Sequence, residues 1–281
     1  MGYHFKLIGY PIQHSLSPWI HGQFLEKSNL QGTYTRMEIK QTDSFEERIM
    51  QMKNERVDGF NITVPYKQAI IPYLDMLDET AEKMGAVNTV AYKDGKWIGH
   101  NTDGIGYVRS LESKFPKLLN NKEIKVLIIG AGGAARGIFV ALDALGITAI
   151  DIANRTEESA SSIARNASSS KGTNILTLEE AERTLGDYDL IIQTTSVGMK
   201  PNENNAIISI DKIKRSTIVS DIVYQPLQTE FLRKSAERGA KTHHGHTMLL
   251  YQAQYAFEIW TNKRVNIGDM EIKLKALLEG R

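Results

Sequence analysis

The sequence predicts an α/β protein of two domains, each with a mainly parallel sheet. Three observations carry this. The 281 residues exceed what one hydrophobic core ordinarily holds. Strand-like and helix-like periods alternate along most of the chain, as in sheets whose faces are covered by helices. The polar stretch Asn120-Asn121-Lys122-Glu123 interrupts that alternation, and an apolar strand at Ile124 restarts it.

Taken in order, Tyr3 to Tyr10 reads as a strand ended by Pro11, and Ser17 and Pro18 read as the N-cap and first residue of a helix to about Lys27. Thr33 to Lys40 is a second strand. Asp43 to Lys53 is an amphipathic helix with Phe45, Ile49 and Met52 on one face. Val57 to Val64 is a third strand, with Phe60, Ile62 and Val64 alternating against Asn61 and Thr63 until Pro65 stops it. Lys67 stands just after that corner, and Gln68 to Leu74 reads as helix. A lysine there either carries chemistry or is a solvated residue opening a helix. Asp78 to Met84 is a short helix closed by Gly85, and Asp94-Gly95 joins Asn88–Tyr92 and Lys96–His100 into a hairpin at an antiparallel sheet edge.

Asn101-Thr102-Asp103-Gly104 opens a helix to Lys114, with the domain boundary near Asp103. Strands follow at Ile124–Ile129, Ala149–Ala153, Leu190–Thr194 and Ile218–Val223, with helices at Ala134–Leu145 and Glu157–Asn166. Residues 167–174 and 201–206 read as loops. Thr247–Thr261 and Gly268–Leu278 are the last helices.

Composition excludes several function classes. A formal charge of +1 gives no electrostatic footprint for nucleic acid or an anionic membrane. There is no cysteine, which excludes disulfides and thiolate chemistry and fits a reducing, cytoplasmic setting. The N-terminus lacks a signal-peptide core, and the apolar window Val126–Ile150 is broken by Arg136, Asp143 and glycines, so it does not read as a membrane span.

Gly130-Ala131-Gly132-Gly133-Ala134-Ala135 follows a strand and opens a helix. In that context the glycines permit a tight turn and close approach of backbone to a pyrophosphate, and the helix N-terminus supplies N–H donors. The expectation is a Rossmann-type dinucleotide-binding domain. NAD-specific sites place an acid about 20 residues on, at the end of the second strand. Here that strand ends Asn154-Arg155-Thr156, with Asp151 too early, so Arg155 is free to pair with a 2′-phosphate. The cofactor expected is NADP(H).

Ser15-Leu16-Ser17-Pro18, Asn61 to Lys67, Gly85-Ala86-Val87-Asn88-Thr89, Asn101 to Gly104, the Gly130 turn and Asn154-Arg155-Thr156 occur in the order and spacing of the shikimate dehydrogenases. Ser196-Val197-Gly198-Met199, Asp221-Ile222-Val223-Tyr224 and Gly245 to Gln252 continue the resemblance over nearly the whole chain. It implies NADPH-dependent reduction of 3-dehydroshikimate to shikimate, in aromatic amino-acid biosynthesis. It also implies an N-terminal substrate domain, 1–103, completed by C-terminal helices in 246–281, and a cofactor domain, 104–245. Lys67 and Asp103 would be the catalytic pair, and both would also bind the substrate. Ser15 and Ser17 would hold the substrate carboxylate, Thr63, Asn88 and Asp103 ring hydroxyls, and Tyr224 and Gln252 the rest of the pocket. The cofactor would meet Gly130, Ala131, Gly132, Gly133, Ala134, Asn154, Arg155, Thr156, Ile222 and Gly245. Where many members carry a basic residue shortly after Asn-Arg-Thr, this chain has Glu157 and Glu158. That departure weakens selection against NAD.

The chemistry suits these residues. Ketone reduction needs a hydride, a proton for the developing alkoxide and a fixed substrate, and short polar side chains orient a small polyol. Burial would lower the lysine pKa toward neutrality, and a neighbouring carboxylate would oppose that shift. Hydride transfer needs reacting atoms about 3–3.5 Å apart, so the two domains are expected to close over their ligands. His243, His244 and His246 form a cluster without a carboxylate in the run, read as a loop with contacts to the following helix and not as a metal site. Two other functions stay open: a quinate/shikimate dehydrogenase with broader substrate and NAD use, and a non-catalytic metabolite sensor, which would be expected to lose Lys67 or Asp103. The partner expected is the small-molecule substrate, with no nucleic acid and no membrane, and the chain a monomer or homodimer.

Overall fold

The computed structural model describes residues 2–165 and 172–280. The chain divides into two compact units, Met1–Asp103 with Gln252–Asn266, and Gly104–Tyr251 with Ile267–Arg281.

The first unit contains β1 (Tyr3–Gly9), α1 (Ser17–Lys27), β2 (Gly32–Glu38), α2 (Phe45–Asn54), β3 (Gly59–Ile62), β4 (Met76–Leu77), α3 (Glu79–Met84), β5 (Thr89–Lys93) and β6 (Lys96–His100). Its six-stranded sheet has the order β2-β1-β3-β5-β6-β4. β1 runs parallel to β2 and β3, while β5 is antiparallel to β3 and β6. The hairpin therefore lies inside the sheet, and the two-residue β4, parallel to β6, forms the edge. So short a strand leaves no period to read. β3 is buried on both faces, and Val64, which would extend its alternation, is 67% exposed beyond its end.

Residues 68–74 are not an α-helix as expected; only a 3₁₀ turn forms, Ile71–Tyr73. Pro72 has no N–H for an i→i−4 bond, so the α ladder cannot form there. Ser17 is likewise not a cap. Leu16 takes the N-cap position without a side-chain bond, and the Ser17 N–H donates instead to Ser15 Oγ at 3.2 Å. At α2 Ser44 does cap, accepting from the Glu47 N–H.

The second unit holds α4 (Asp103–Lys114) from its second residue on. It continues through β7 (Val126–Ile129), α5 (Gly133–Ala144), β8 (Ile150–Ala153), α6 (Glu157–Ala164), β9 (Ile175–Leu176), α7 (Leu178–Thr184), β10 (Leu190–Gln193), β11 (Ile218–Asp221), α8 (Glu230–Glu237) and β12 (Lys241–His244). Then come the start of α9 (Gly245–Thr261) and α10 (Met270–Glu279). The expected end of α6 at Asn166, and 167–171 of the expected loop, lie outside the described residues. The sheet order is β12-β11-β10-β7-β8-β9, every pair parallel. Numbered from β7, this is 3-2-1-4-5-6, the doubly wound dinucleotide-binding order, and its switch point lies between β7 and β10. β9, α7, α8 and β12 had no counterpart in the sequence reading. α7 is polar apart from Leu178 and buried Ala181, yet its Thr177–Glu180 capping box was a legible start signal.

Each unit has its own core. In the first, Ile8, Ile49, Met52, Phe60 and Ile62 pack on one side of the sheet. Elsewhere in that unit Phe5 stacks on Trp260 of α9 at 4.5 Å, and the indole Nε1 donates to the Val90 carbonyl at 2.9 Å. In the second, Leu127, Ile129, Ile191, Val219, Phe231 and Leu232 are buried together. Fully burying such side chains contributes about 1.5–3 kcal/mol each. The sequence expectation assigned 246–281 as a whole to the first domain. The compact first unit takes 252–266 of it, whereas 267–281 group with the second unit, where Met270 and Leu274 are buried.

Candidate active site

Lys67 sits where β3 has ended and the chain turns. The Tyr66 N–H donates to the Thr63 carbonyl, the Tyr66 hydroxyl donates to the Ile39 carbonyl, and the Lys67 carbonyl accepts from the Val87 N–H at 2.8 Å. The backbone on both sides of the lysine is thereby fixed. Its Nζ lies 2.6 Å from Asp103 Oδ2, with side-chain exposures of 30% and 13%. This ion pair is accessible on the lysine side and largely buried on the carboxylate side.

A hydrogen-bonded chain holds Asp103. Asn88 Nδ2 donates to Asp103 Oδ1 at 2.8 Å and to Thr102 Oγ1 at 3.0 Å. Asn88 Oδ1 accepts from the Thr102 N–H and from Thr89 Oγ1, each at 2.9 Å. Thr102 Oγ1 also contacts Gln252 Oε1 at 3.3 Å. Behind this, Asn61 Nδ2 donates to Thr89 Oγ1 at 2.9 Å, and Tyr34 donates its hydroxyl to Asn61 Oδ1 at 2.8 Å. Tyr34 stacks on the buried His21 ring at 4.4 Å. Burial pushes the His21 imidazole down to about 3 and raises the Tyr34 phenol, so both are neutral. The charged pair thus sits at the end of a network of neutral, shape-fixed groups.

Of the expected substrate residues in the first unit, Lys67, Asn88, Asp103 and Gln252 are joined through this network. Ser15 and Ser17 form a separate pair, with hydroxyls 3.2 Å apart, and Arg36 donates to the Ser15 carbonyl at 2.7 Å. Thr63 is half-buried on the turn before Lys67. Tyr224 is in the second unit, on the segment after β11, and 36% exposed. The sequence reading gave no role to Tyr34, Asn61, Thr89 or Thr102. Three of these fall inside or beside the motifs quoted, and a polar residue inside an otherwise apolar strand was the available signal for Asn61.

In the second unit Gly130 follows β7 with φ +109°, and a Cβ there would lie 2.6 Å from Thr194 Oγ1 and 2.8 Å from Thr195 Cγ2. Only glycine lets the turn pass the end of β10. Gly132 is the N-cap of α5 with no side-chain cap bond, and a Cβ on Gly132 or Gly133 would meet nothing within 4 Å. Both glycines are exposed and no side chain caps the helix, so the first-turn N–H donors of α5 have no side-chain competitor, an arrangement suited to an anion. The turn is tied to the end of β8 by the Gly130 N–H donating to the Ala153 carbonyl at 2.8 Å. Asn154 Nδ2 donates to the Thr156 carbonyl at 2.8 Å, shaping the corner from which Arg155 projects, exposed. Asp151, the acid too early to read a ribose, accepts from Tyr188 at 2.9 Å and from the Asn174 side chain at 2.9 Å.

The histidine cluster is not a loop. His243 and His244 belong to β12 and His246 to α9. Position 243 alternates inward, where its ring contacts the hydroxyls of Ser220 at 2.8 Å, Thr247 at 3.1 Å and Ser110 at 3.2 Å. Burial lowers this imidazole to about 3, which makes it a neutral core residue. Among the described residues no group of three or more His, Asp or Glu is arranged to hold a metal ion.

With this geometry in view, the comparisons with known proteins are decisive. Residues 7–90 match the shikimate dehydrogenase substrate binding domain, 110–224 the shikimate / quinate 5-dehydrogenase domain, and 245–272 the shikimate 5′-dehydrogenase C-terminal domain. A shikimate dehydrogenase (NADP(+)) of Oceanobacillus iheyensis is 55% identical over 276 residues, covering 98% of each chain. The chain belongs to the shikimate dehydrogenase family. Among solved structures, the shikimate 5-dehydrogenase of Thermus thermophilus in complex with NADP(H) and shikimate superposes with a TM-score of 0.86 at 29% identity, covering 98% of this chain and 99% of that one. The Listeria monocytogenes shikimate 5-dehydrogenase in complex with shikimate and NAD gives 0.87 at 32% identity, covering 99% and 96%. No helix among the described residues is long and apolar enough to cross a membrane.

Proposed function

We propose that the chain catalyses the reversible NADPH-dependent reduction of 3-dehydroshikimate to shikimate, in the shikimate pathway of aromatic amino-acid biosynthesis. The observation that carries this is the 2.6 Å Lys67–Asp103 pair held at the end of a neutral polar network, in a member of this family. Bound NADPH supplies the hydride that adds to the carbonyl carbon. The residues of the chain must then orient the ketone and deliver one proton to its oxygen. Lys67 Nζ, accessible and charge-paired, is placed to give that proton in reduction and take it back in oxidation. Asp103 orients the ammonium through Oδ2, while its Oδ1 is fixed by Asn88.

The remaining roles belong to the same reading. Ser15 and Ser17 bind the carboxylate of the substrate. Thr63, Asn88, Asp103, Tyr224 and Gln252 bind its hydroxyls. Gly130, Ala131, Gly132, Gly133 and Ala134 take the pyrophosphate at the start of α5, where the open cradle supports the fit. Asn154, Arg155 and Thr156 take the 2′-phosphate end, and Ile222 and Gly245 flank the nicotinamide. The substrate domain is then 1–103 with the C-terminal return, and the cofactor domain 104–245. A cytoplasmic monomer or homodimer completes the proposal.

Initial rates with NADP⁺ and NAD⁺ against shikimate and quinate test the reading. Shikimate with NADP⁺ is expected to give the highest kcat/KM. A higher kcat/KM for quinate with NAD⁺ would replace it by the quinate/shikimate alternative.

A further inference from the structure

Asp221 ends β11 fully buried, and its carboxylate receives three donors from three directions. The Val223 N–H donates to Oδ1 at 2.9 Å, closing a turn that terminates the strand. Gln193 Nε2, from the end of β10, donates to the same oxygen at 3.1 Å. Thr229 Oγ1 donates to Oδ2 at 2.7 Å and in turn accepts from the Leu232 N–H as the cap of α8. One carboxylate therefore grips both ends of the segment 222–228. The same Gln193 side chain also donates to the Val197 carbonyl at 3.1 Å, and its Oε1 accepts from the Thr195 N–H, which binds the neighbouring segment after β10 to this hub.

The segment so gripped presents Ile222 and Tyr224 at the carboxyl end of the sheet. It has little freedom on its other side, since a Cβ on Gly245 would lie 2.2 Å from the Ile222 carbonyl oxygen. Burial raises the Asp221 carboxyl to about 6, opposed by the three donors, so the group is a carboxylate at neutral pH. A buried charge with no countercharge among these contacts is costly to keep for fold alone, because apolar packing of similar volume serves stability as well.

We propose that Asp221 is a positioning residue of the reaction: with Thr229 and Gln193 it sets segment 222–228, and so the placement of Ile222 and Tyr224 toward cofactor and substrate. The proposal rests on the dehydrogenase reading given above. Asp221 touches neither substrate nor cofactor in this account and acts only through the loop.

The test separates the loop from the fold. Thr229→Val cuts the Oδ2 link without altering β11, and Thr229→Ser keeps it. Asp221→Asn keeps the shape of the group and removes its charge and one acceptor. Steady-state kinetics are measured with NADP⁺ and shikimate, and hydrogen exchange is followed along 222–228. Thr229→Val is expected to raise both KM values about three- to tenfold and to speed exchange at 222–228 alone. Asp221→Asn should act in the same direction, and Thr229→Ser should behave as the unaltered protein. Unchanged KM values in both Thr229→Val and Asp221→Asn would overturn the proposal, even with a lowered Tm, as would faster exchange spread over the whole second unit. If the unaltered protein does not oxidise shikimate, the dehydrogenase reading fails by itself. The exchange pattern in the variants then decides alone whether Asp221 sets the loop.

Discussion

The Lys67–Asp103 region and the Gly130–Gly133 turn are built by opposite means. In the first, side chains form the site, on a backbone fixed by its own hydrogen bonds. Each polar atom of Asn88 has a partner, and Asp103 receives donors on both carboxylate oxygens. In the second, side chains are missing by design, and the backbone with the open volume above it is the feature. A site that must place one proton needs fixed, mutually satisfied groups. A site that must receive a pyrophosphate needs bare N–H donors and room. Changes in the first region should therefore act on rate, and changes in the second on affinity or on folding.

The largest effect is expected at Lys67. Lys67→Ala should lower kcat by ~10²–10⁴ and leave the shikimate KM within a few-fold, since general acid–base help is lost from the transition state. Asp103→Asn should lower kcat and weaken shikimate binding together. The double variant should lose much less than the sum of the two, because the residues act as one unit. Strict additivity, or a Lys67→Ala protein with normal kcat and a much raised KM, would make Lys67 a binding residue only.

Asn88→Ala sharpens the same side of the comparison. It removes the donor from Asp103 Oδ1 and the acceptor of the buried Thr102 N–H. A buried polar group left unpaired costs about 1–3 kcal/mol, so Tm should fall and kcat should drop about tenfold as the carboxylate loses its fixed position. A variant with lowered Tm and normal kcat would show that Asn88 supports the fold without holding the catalytic pair.

The glycine turn can be split against itself. Gly130→Ala meets Thr194 at 2.6 Å in a φ of +109°, a conformation that costs a side chain about 1–3 kcal/mol. It should destabilise the protein before any ligand is added. Gly132→Ala meets nothing within 4 Å at an ordinary φ of −85°, so Tm should barely change while the KM for NADP⁺ rises about tenfold. Thermal melts without and with NADP⁺ distinguish the two. Equal Tm losses in both variants would remove the contrast on which this reading depends.

The same difference in construction governs what the sequence made legible. The glycine turn could be read because its physics is local: a strand, a turn that excludes side chains, and a helix start. A Rossmann-type second domain followed from periodicity together with that turn, but its full doubly wound order did not, since β9 and β12 at its edges leave no period to read. The placement of β5 inside the first sheet did not, because pairing partners far apart in sequence leave no local mark, and the two-residue β4 carries no period. Pro72 is visible in the sequence, and its missing N–H argues against the helix that the apolar run around it suggests. Lys67 stands out by its place after the Pro65 corner, but its pairing with Asp103 could be named only through resemblance. The network that joins them, from Tyr34 through Asn61 and Asn88, spans strands distant in the chain and appears only when the sheet is assembled. The histidine run shows the converse. The adjacent histidines read as a loop, and strand alternation instead sends His243 inward to three hydroxyls.

The smallest expected effect tests the boundary between the two kinds of site, where a side chain is added to a backbone cradle. Arg155 projects, exposed, from the corner after β8, and among the described residues no ion pair at 4 Å or less involves it. Glu157 and Glu158 follow at the first turn of α6, where the helix dipole favours carboxylates whatever ligand is near. Glu158 already lies 3.9 Å from Arg165, which draws part of its charge away from the corner. On the proposed reading Arg155 would meet the 2′-phosphate through a solvated, salt-screened contact, so the effect of its removal should be modest. Arg155→Ala is expected to raise the KM for NADP⁺ a few-fold and leave that for NAD⁺ unchanged, the ratio narrowing as ionic strength rises. Glu158→Gln should lower the KM for NADP⁺ by less than Arg155→Ala raises it, and measurable NAD⁺ turnover should persist in the unaltered protein. Equal changes for both cofactors on removing Arg155 would place the arginine on the adenine ring or the pyrophosphate instead, and selection of NADP⁺ would then rest on the absent acid at the end of β8 alone.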